Sequence, residues 1–281
     1  MKRLSTLSMR PTTVIAGGGL ALLSLFAVAC GGGSGDSTAS APAPKASETP
    51  KASEAPKTAP APAAVLGSSA VAGKVAFEGK APNMKPTKMD ADPACAAKHS
   101  GPVFPETLVL GDDQSLANVF VQVKNPPAGT FPVPAEPVVI DQNGCRYIPH
   151  VAGVMAGQAI QFRNSDGILH NVHGLPKENR EFNIGMPPTL LEKNTVLNKP
   201  EPFFPVKCDV HPWMRSFVAV MTHPYFAVSG TDGTFQIPNL PAGTYEIEAW
   251  HEKLGTQTAS ITVADGETGS ADFSFSVPTK G

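Results

Sequence analysis

Short apolar runs that alternate with polar residues, each stopped by Gly, Pro, Asn or Asp, constrain this chain most. Val75 and Phe77 alternate with their neighbours, as do Val119, Val121 and Val123. Val138-Val139-Ile140 runs toward the turn pair Asn143-Gly144, and Ile160 and Phe162 precede Asn164-Ser165-Asp166-Gly167. Phe217-Val218-Ala219-Val220 is a further apolar strand. A period of two sends every second side chain to one face, the pattern of strands with one buried side. No stretch carries apolar residues at helical spacing over a useful length. The 29 prolines and 26 glycines among 281 residues favour turns over helices. The expected fold class is all-β, built of sandwiches.

The chain opens with Lys2, Arg3 and Arg10, then an apolar run from Thr13 that ends in Ala27-Val28-Ala29-Cys30. A basic start, an apolar stretch and small residues before a cut site make a secretory signal, assigned to residues 1–29. Gly17, Gly18 and Gly19 weaken the run as a spanning helix. The Cys after Ala-Val-Ala resembles the lipobox of bacterial lipoproteins, which implies acylation at Cys30. Ordinary cleavage, with Cys30 a spare thiol, is the alternative. Residues 30–66 are low in complexity, with the near-repeats Pro44-Lys45-Ala46-Ser47-Glu48 and Pro50-Lys51-Ala52-Ser53-Glu54. Such sequence buries too little apolar area to offset its ordering entropy and reads as a disordered tether. The expected location is outside the cytoplasm, anchored by lipid to the bacterial membrane, at the outer-membrane or periplasmic face or the cell surface. Loss of the signal takes three of the 22 basic residues and leaves 19 against 24 acidic ones. Nucleic acid is a poor partner for such a balance, because phosphate binding needs clustered Lys and Arg. No later segment is long and apolar enough to span a bilayer, so membrane contact is expected through the lipid alone.

The chemistry concentrates in Cys208-Asp209-Val210-His211-Pro212-Trp213-Met214. A thiolate, an imidazole and a thioether within one short loop are the soft donors of a blue-copper centre, which needs a second His from elsewhere. Gln161-Phe162-Arg163-Asn164, a short polar loop and His170-Asn171-Val172-His173 supply it. Phe-x-Asn followed by His-Asn-Val resembles the first-His segment of plastocyanin and amicyanin. Cys-x-x-His-Pro-x-Met followed by Arg resembles the ligand loop of amicyanin. The resemblance to the cupredoxin family covers about residues 155–222. It implies a Greek-key sandwich and one mononuclear type 1 copper ion held by His170, Cys208, His211 and Met214. It further implies that Asn171 ties the two ligand loops together. Pro202-Phe203-Phe204-Pro205-Val206-Lys207 departs from the family's approach to the Cys. Zinc is disfavoured, since Met is a poor zinc ligand and one Cys is present.

His173 lies close behind His170, three residues on, and reads as a supporting group or an alternative ligand at the cofactor. Trp213, beside His211, reads either as part of an apolar docking patch or as packing over the loop. With Cys30 assigned to lipid and Cys208 to metal, Cys95 and Cys145 remain, and an oxidising compartment favours a disulfide between them. That bridge would stabilise the fold by roughly 3–4 kcal/mol in the chain-entropy description. His150, His223 and His251 read as structural.

The last 60 residues have their own rhythm. Asp232-Gly233-x-Phe235-x-Ile237-x-x-Leu240-Pro241-Ala242-Gly243-Thr244-Tyr245-x-Ile247 resembles carboxypeptidase regulatory-like, transthyretin-like sandwich modules. The boundaries are therefore set at 67–222 for the copper domain and 223–281 for this module. The module could share strands with residues 68–125, whose Gly73-Lys74-Val75-Ala76-Phe77 also resembles its opening strand. The expected function is one-electron transfer with a redox partner protein at the membrane or in the periplasm. Copper capture or buffering is one alternative; a surface sandwich that binds carbohydrate or protein through the C-terminal module is another. No nucleophile–base pair stands at a recognisable motif, so the chain is not expected to be an enzyme.

Overall fold

A computed structural model describes residues 63–277. The signal, Cys30 and tether residues 30–62 lie outside the described residues. In chain order the elements are β1 (Ser69–Phe77), α1 (Pro93–Ala96), β2 (Phe120–Val123), β3 (Val138–Gln142), β4 (Tyr147–Ile148), β5 (Val151–Met155), β6 (Ala159–Asn164), β7 (His170–Gly174) and β8 (Phe182–Met186). There follow β9 (Glu192–Val196), β10 (Glu201–Lys207), β11 (Arg215–Met221), β12 (Phe226–Val228), β13 (Thr234–Leu240), β14 (Gly243–His251), β15 (Gly255–Val263), β16 (Thr268–Ser270) and β17 (Phe273–Phe275). Among the described residues the one helix spans four residues. None is long and apolar enough to cross a membrane.

These strands make two sandwiches. One faces a sheet ordered β5-β11-β10-β7-β8 with a sheet ordered β4-β3-β6-β9. Their inner faces meet in a core that includes Ile140, Tyr147, Ile160, Phe162, Val172, Phe204, Val206 and Val218. The pairs β5–β11 and β3–β6 run parallel and the rest of its ladders antiparallel, so the chain crosses between sheets. This is the sandwich that holds the ligand motifs, and all of it lies between β2 and β12.

The other sandwich faces β13-β1-β16, with β17 also on β1, against β12-β2-β14-β15. Alternation decides its inner face: Tyr245, Ile247 and Ala249 of β14 are buried while Glu246 points out. Val71, Val75, Val121, Val123, Ile237 and Phe273 join them. A division at residue 222 does not follow these sheets. β1 pairs with β13, Val71 opposite Ile237, and β2 pairs with β14, Ala249 opposite Val121. Both early strands thus belong with the C-terminal ones, because backbone hydrogen bonding rather than order in the chain defines the unit. The ligand-bearing sandwich is an insertion in the other.

Aromatic packing joins the two. Phe203 stacks on Trp250 with ring centroids 3.7 Å apart and meets Phe120 edge-on at 5.0 Å. Gly153 of β5 lets the rings of the other sandwich approach, since a Cβ there would lie 2.5 Å from Phe226 and 2.7 Å from Phe120. A buried hydrogen bond adds to it: His150 Nε2 stands 2.6 Å from Glu252 Oε1.

Candidate metal centre

The ligand loop is a tight connection between two paired strands. Lys207 and Arg215 face each other across β10 and β11, which leaves residues 208–214 to turn the chain. The Cys208 N–H donates to the Met214 carbonyl at 3.3 Å and the Met214 N–H to the His211 carbonyl at 2.9 Å. The His211 N–H donates to Cys208 Sγ at 3.4 Å. The loop therefore closes on itself, with Cys208, His211 and Met214 each about 1% exposed.

β7 lies beside β10, with His173 opposite Lys207, and this pairing carries His170 to the loop. His170 is fully buried. Its Nδ1 faces His211 Nδ1 at 2.9 Å, and His211 Nδ1 is 3.8 Å from Cys208 Sγ. The donor atoms of His170, Cys208 and His211 lie within 4.8 Å of one another. Donors gathered that closely can share a single ion. Asn171 ties the two segments: its Oδ1 accepts from the Asp209 N–H at 2.6 Å.

Burial pushes the Cys208 thiol up, but hydrogen bonds from His170 and from the N–H groups of Asn171, His211 and Val210 outweigh it and leave the thiol below its ordinary value. That favours the thiolate, the form that binds metal. Two imidazoles and a thiolate, with the Met214 thioether buried in the same loop, suit copper better than zinc.

Carboxylates stand behind both imidazoles. His170 Nε2 lies 2.9 Å from Asp166 Oδ2, and His211 Nε2 lies 3.0 Å from Asp92 Oδ2. Asp166 also accepts the N–H groups of Gly144 and Cys145, at 2.7 and 2.8 Å, and pairs with Lys98 at 3.1 Å. Gly144 and Cys145 both take positive φ, 62° and 51°, which turns their N–H groups toward one anion. Burial opposes the Asp166 charge, yet the bonds from His170, Cys145, Lys98 and Gly144 hold its carboxyl down at about 2. Asp92 caps α1 by accepting the Ala94 N–H at 2.9 Å. The hydrogen bond from His211 holds its carboxyl below the ordinary range.

Cys95 and Cys145 form a disulfide across a separation of 50 residues. It fastens the α1 segment to the turn that holds Asp166. Cys95 Sγ comes within 3.6 Å of His211 Nε2. Trp213 joins the same cover: its indole N–H donates to the Cys145 carbonyl at 3.2 Å, and its ring centroid is 5.1 Å from that of His211.

His173 is not brought to the group. It turns to the polar side of the sheet, with Nδ1 2.8 Å from Asp209 and Nε2 2.8 Å from Glu181. His223 Nδ1 accepts the Tyr225 N–H, and His251 Nδ1 accepts the N–H groups of Lys253 and Leu254. Asp92 and Asp166 belong to no motif that sequence reasoning picks out. Asp166 sits four residues before His170 in a loop that reads only as a turn; that spacing is the available signal. Nothing local marks Asp92, which stands 119 residues from its partner.

Residues 218–276 match the carboxypeptidase regulatory-like domain. Comparison with curated proteins gives no match. Among solved structures, the chain is similar to a Cu-containing nitrite reductase from Thermus scotoductus SA-01, at 19% identity and TM-score 0.29. That match covers 34% of this chain and 25% of the other. The chain thus spans about a quarter of the reductase. A purple cupredoxin from Nitrosopumilus maritimus matches at 19% identity and TM-score 0.26, covering 30% of this chain and 99% of that one. The oxidised state of an amicyanin variant matches at 19% identity and TM-score 0.28, covering 36% of this chain and 98% of that one.

Proposed function

We propose that this chain holds one mononuclear type 1 copper ion and works in one-electron transfer at the cell envelope. The observation that carries the reading is the convergence of His170 Nδ1, His211 Nδ1 and Cys208 Sγ within 4.8 Å, in a setting closed to solvent. Copper bound there would supply a Cu(II)/Cu(I) couple. The residues' part is to hold one geometry for both states. The loop's internal hydrogen bonds and the Asn171 tie fix the thiolate and imidazoles, so little has to move when charge changes. The chemistry is carriage of an electron rather than turnover of a substrate. Lipid at Cys30 would keep the unit at the membrane, where a redox protein is the partner.

A second reading, copper capture or buffering, has one observation in its favour. His211 is about 1% exposed, with Asp92 and Cys95 over its outer edge, so a partner cannot touch that ring. Titration of the protein with Cu(II) tests the site. An intense thiolate-to-copper visible band is expected, and its loss in Cys208→Ser. No band, or a band retained in Cys208→Ser, overturns the assignment. Self-exchange measured by NMR line broadening separates the two readings: exchange too slow to broaden lines favours buffering.

A further inference from the structure

Each imidazole of the candidate centre has one nitrogen turned to the shared site and the other turned to a carboxylate. Nδ1 of His170 and of His211 face one another, so with a metal held between them Nε2 alone can carry the ring proton. That proton points at Asp166 Oδ2 in one ring and at Asp92 Oδ2 in the other. Neither acid is placed by chance contact. Asp166 has a side chain only 1% exposed and is gripped by two backbone N–H groups and Lys98. Asp92 is fixed as the cap of α1, three residues before the disulfide.

A carboxylate that accepts the distal N–H of a ligating imidazole fixes its tautomer and orientation and raises its basicity. Its negative charge also acts across the ring on the ion, and attraction grows with the ion's charge. Two such charges therefore favour the divalent over the monovalent state.

We propose that Asp92 and Asp166 are paired positioning residues that set both imidazoles as Nδ1 donors and shift the centre toward Cu(II), lowering its reduction potential. The proposal rests on the copper reading given above.

The first measurement needs no metal. Long-range proton–nitrogen NMR correlations of the copper-free protein should show a proton on Nε2 of both His170 and His211. An Nε2 without a proton in either ring overturns the proposal. The second compares Asp92→Asn and Asp166→Asn with the parent after Cu(II) loading. Each variant should keep the thiolate-to-copper band, bind Cu(II) about 10–100-fold more weakly and show a higher reduction potential. Asp166 is buried and its variant could fail to fold; Asp92 has a side chain 29% exposed, so its variant carries the test alone if needed. Glu246→Gln, an exposed carboxylate of the other sandwich, is the charge control and should leave the potential unmoved. A parent without the band overturns the copper reading and this inference with it. A parent with the band, but variants whose potential and affinity equal the parent's or shift only as Glu246→Gln does, overturns this inference alone.

Discussion

At the scale of single residues, Asn171 bears the joint between the two ligand segments. Its Oδ1 satisfies the Asp209 N–H, and its Nδ2 reaches Asn183 Oδ1 at 2.7 Å. Asn171→Ala removes that hydrogen bond, which costs about 0.5–1.5 kcal/mol. The expected outcome is a lower denaturation midpoint and a broadened copper band; an unchanged midpoint would show that the tie is dispensable. The candidate donors are legible in the sequence because Cys208, His211 and Met214 share one loop, where spacing alone brings them together. Their supports are less legible. A carboxylate that acts by through-space contact leaves no periodic mark, and Asp92 meets His211 only because a disulfide-tied segment folds across the sheet edge. His173 shows the converse. Three residues on from His170 it has the opposite parity along β7, so it faces away from the group and meets Asp209 and Glu181.

At the scale of elements, the β3–β4 hairpin and the α1 segment act through one covalent link. The link joins the turn that grips Asp166 to the segment that carries Asp92. Replacement of both Cys95 and Cys145 by Ala should lower the unfolding free energy by about 4 kcal/mol, measured by urea denaturation of the copper-free protein. A loss well under 1 kcal/mol would mean that packing alone holds the segment. The strands themselves are readable from alternation, as with Tyr245, Ile247 and Ala249 in β14. Partnership is not. Val71 and Val75 of β1 would fit the inner face of either sandwich, since alternation fixes which side of a strand is apolar and says nothing of its neighbour. Only the register, Val71 opposite Ile237 and Val121 opposite Ala249, assigns β1 and β2 to the C-terminal strands.

At the scale of the whole molecule, burial of imidazoles governs the response to acid. Burial holds His223 and His251 at about 4 in the folded chain, against about 6.5 when unfolded. Above pH 6.5 both are neutral in either state. As pH falls from about 6.5 to 4 the unfolded chain takes up protons that the folded one refuses, so stability falls, by up to about 3 kcal/mol for each ring. Guanidinium midpoints at pH 7 and pH 4.5 should differ accordingly, and His223→Gln should flatten the dependence. The His150–Glu252 pair tests the contact between sandwiches. His150→Ala removes the short hydrogen bond to a carboxylate only 3% exposed, leaving Lys253 at 3.7 Å as its neighbour, and the expected loss is about 1–3 kcal/mol. The insertion itself has a further consequence. β2 and β12, where the chain leaves one sandwich and returns to it, are antiparallel neighbours, and the Val123 N–H still reaches the Tyr225 carbonyl at 3.0 Å. The entire inserted sandwich therefore hangs from the mouth of a hairpin, where a two-residue bend would otherwise close the chain. Because closure entropy grows only slowly with length, and the guest brings its own ends to one strand spacing, the host strands keep their pairing across an insertion of about a hundred residues.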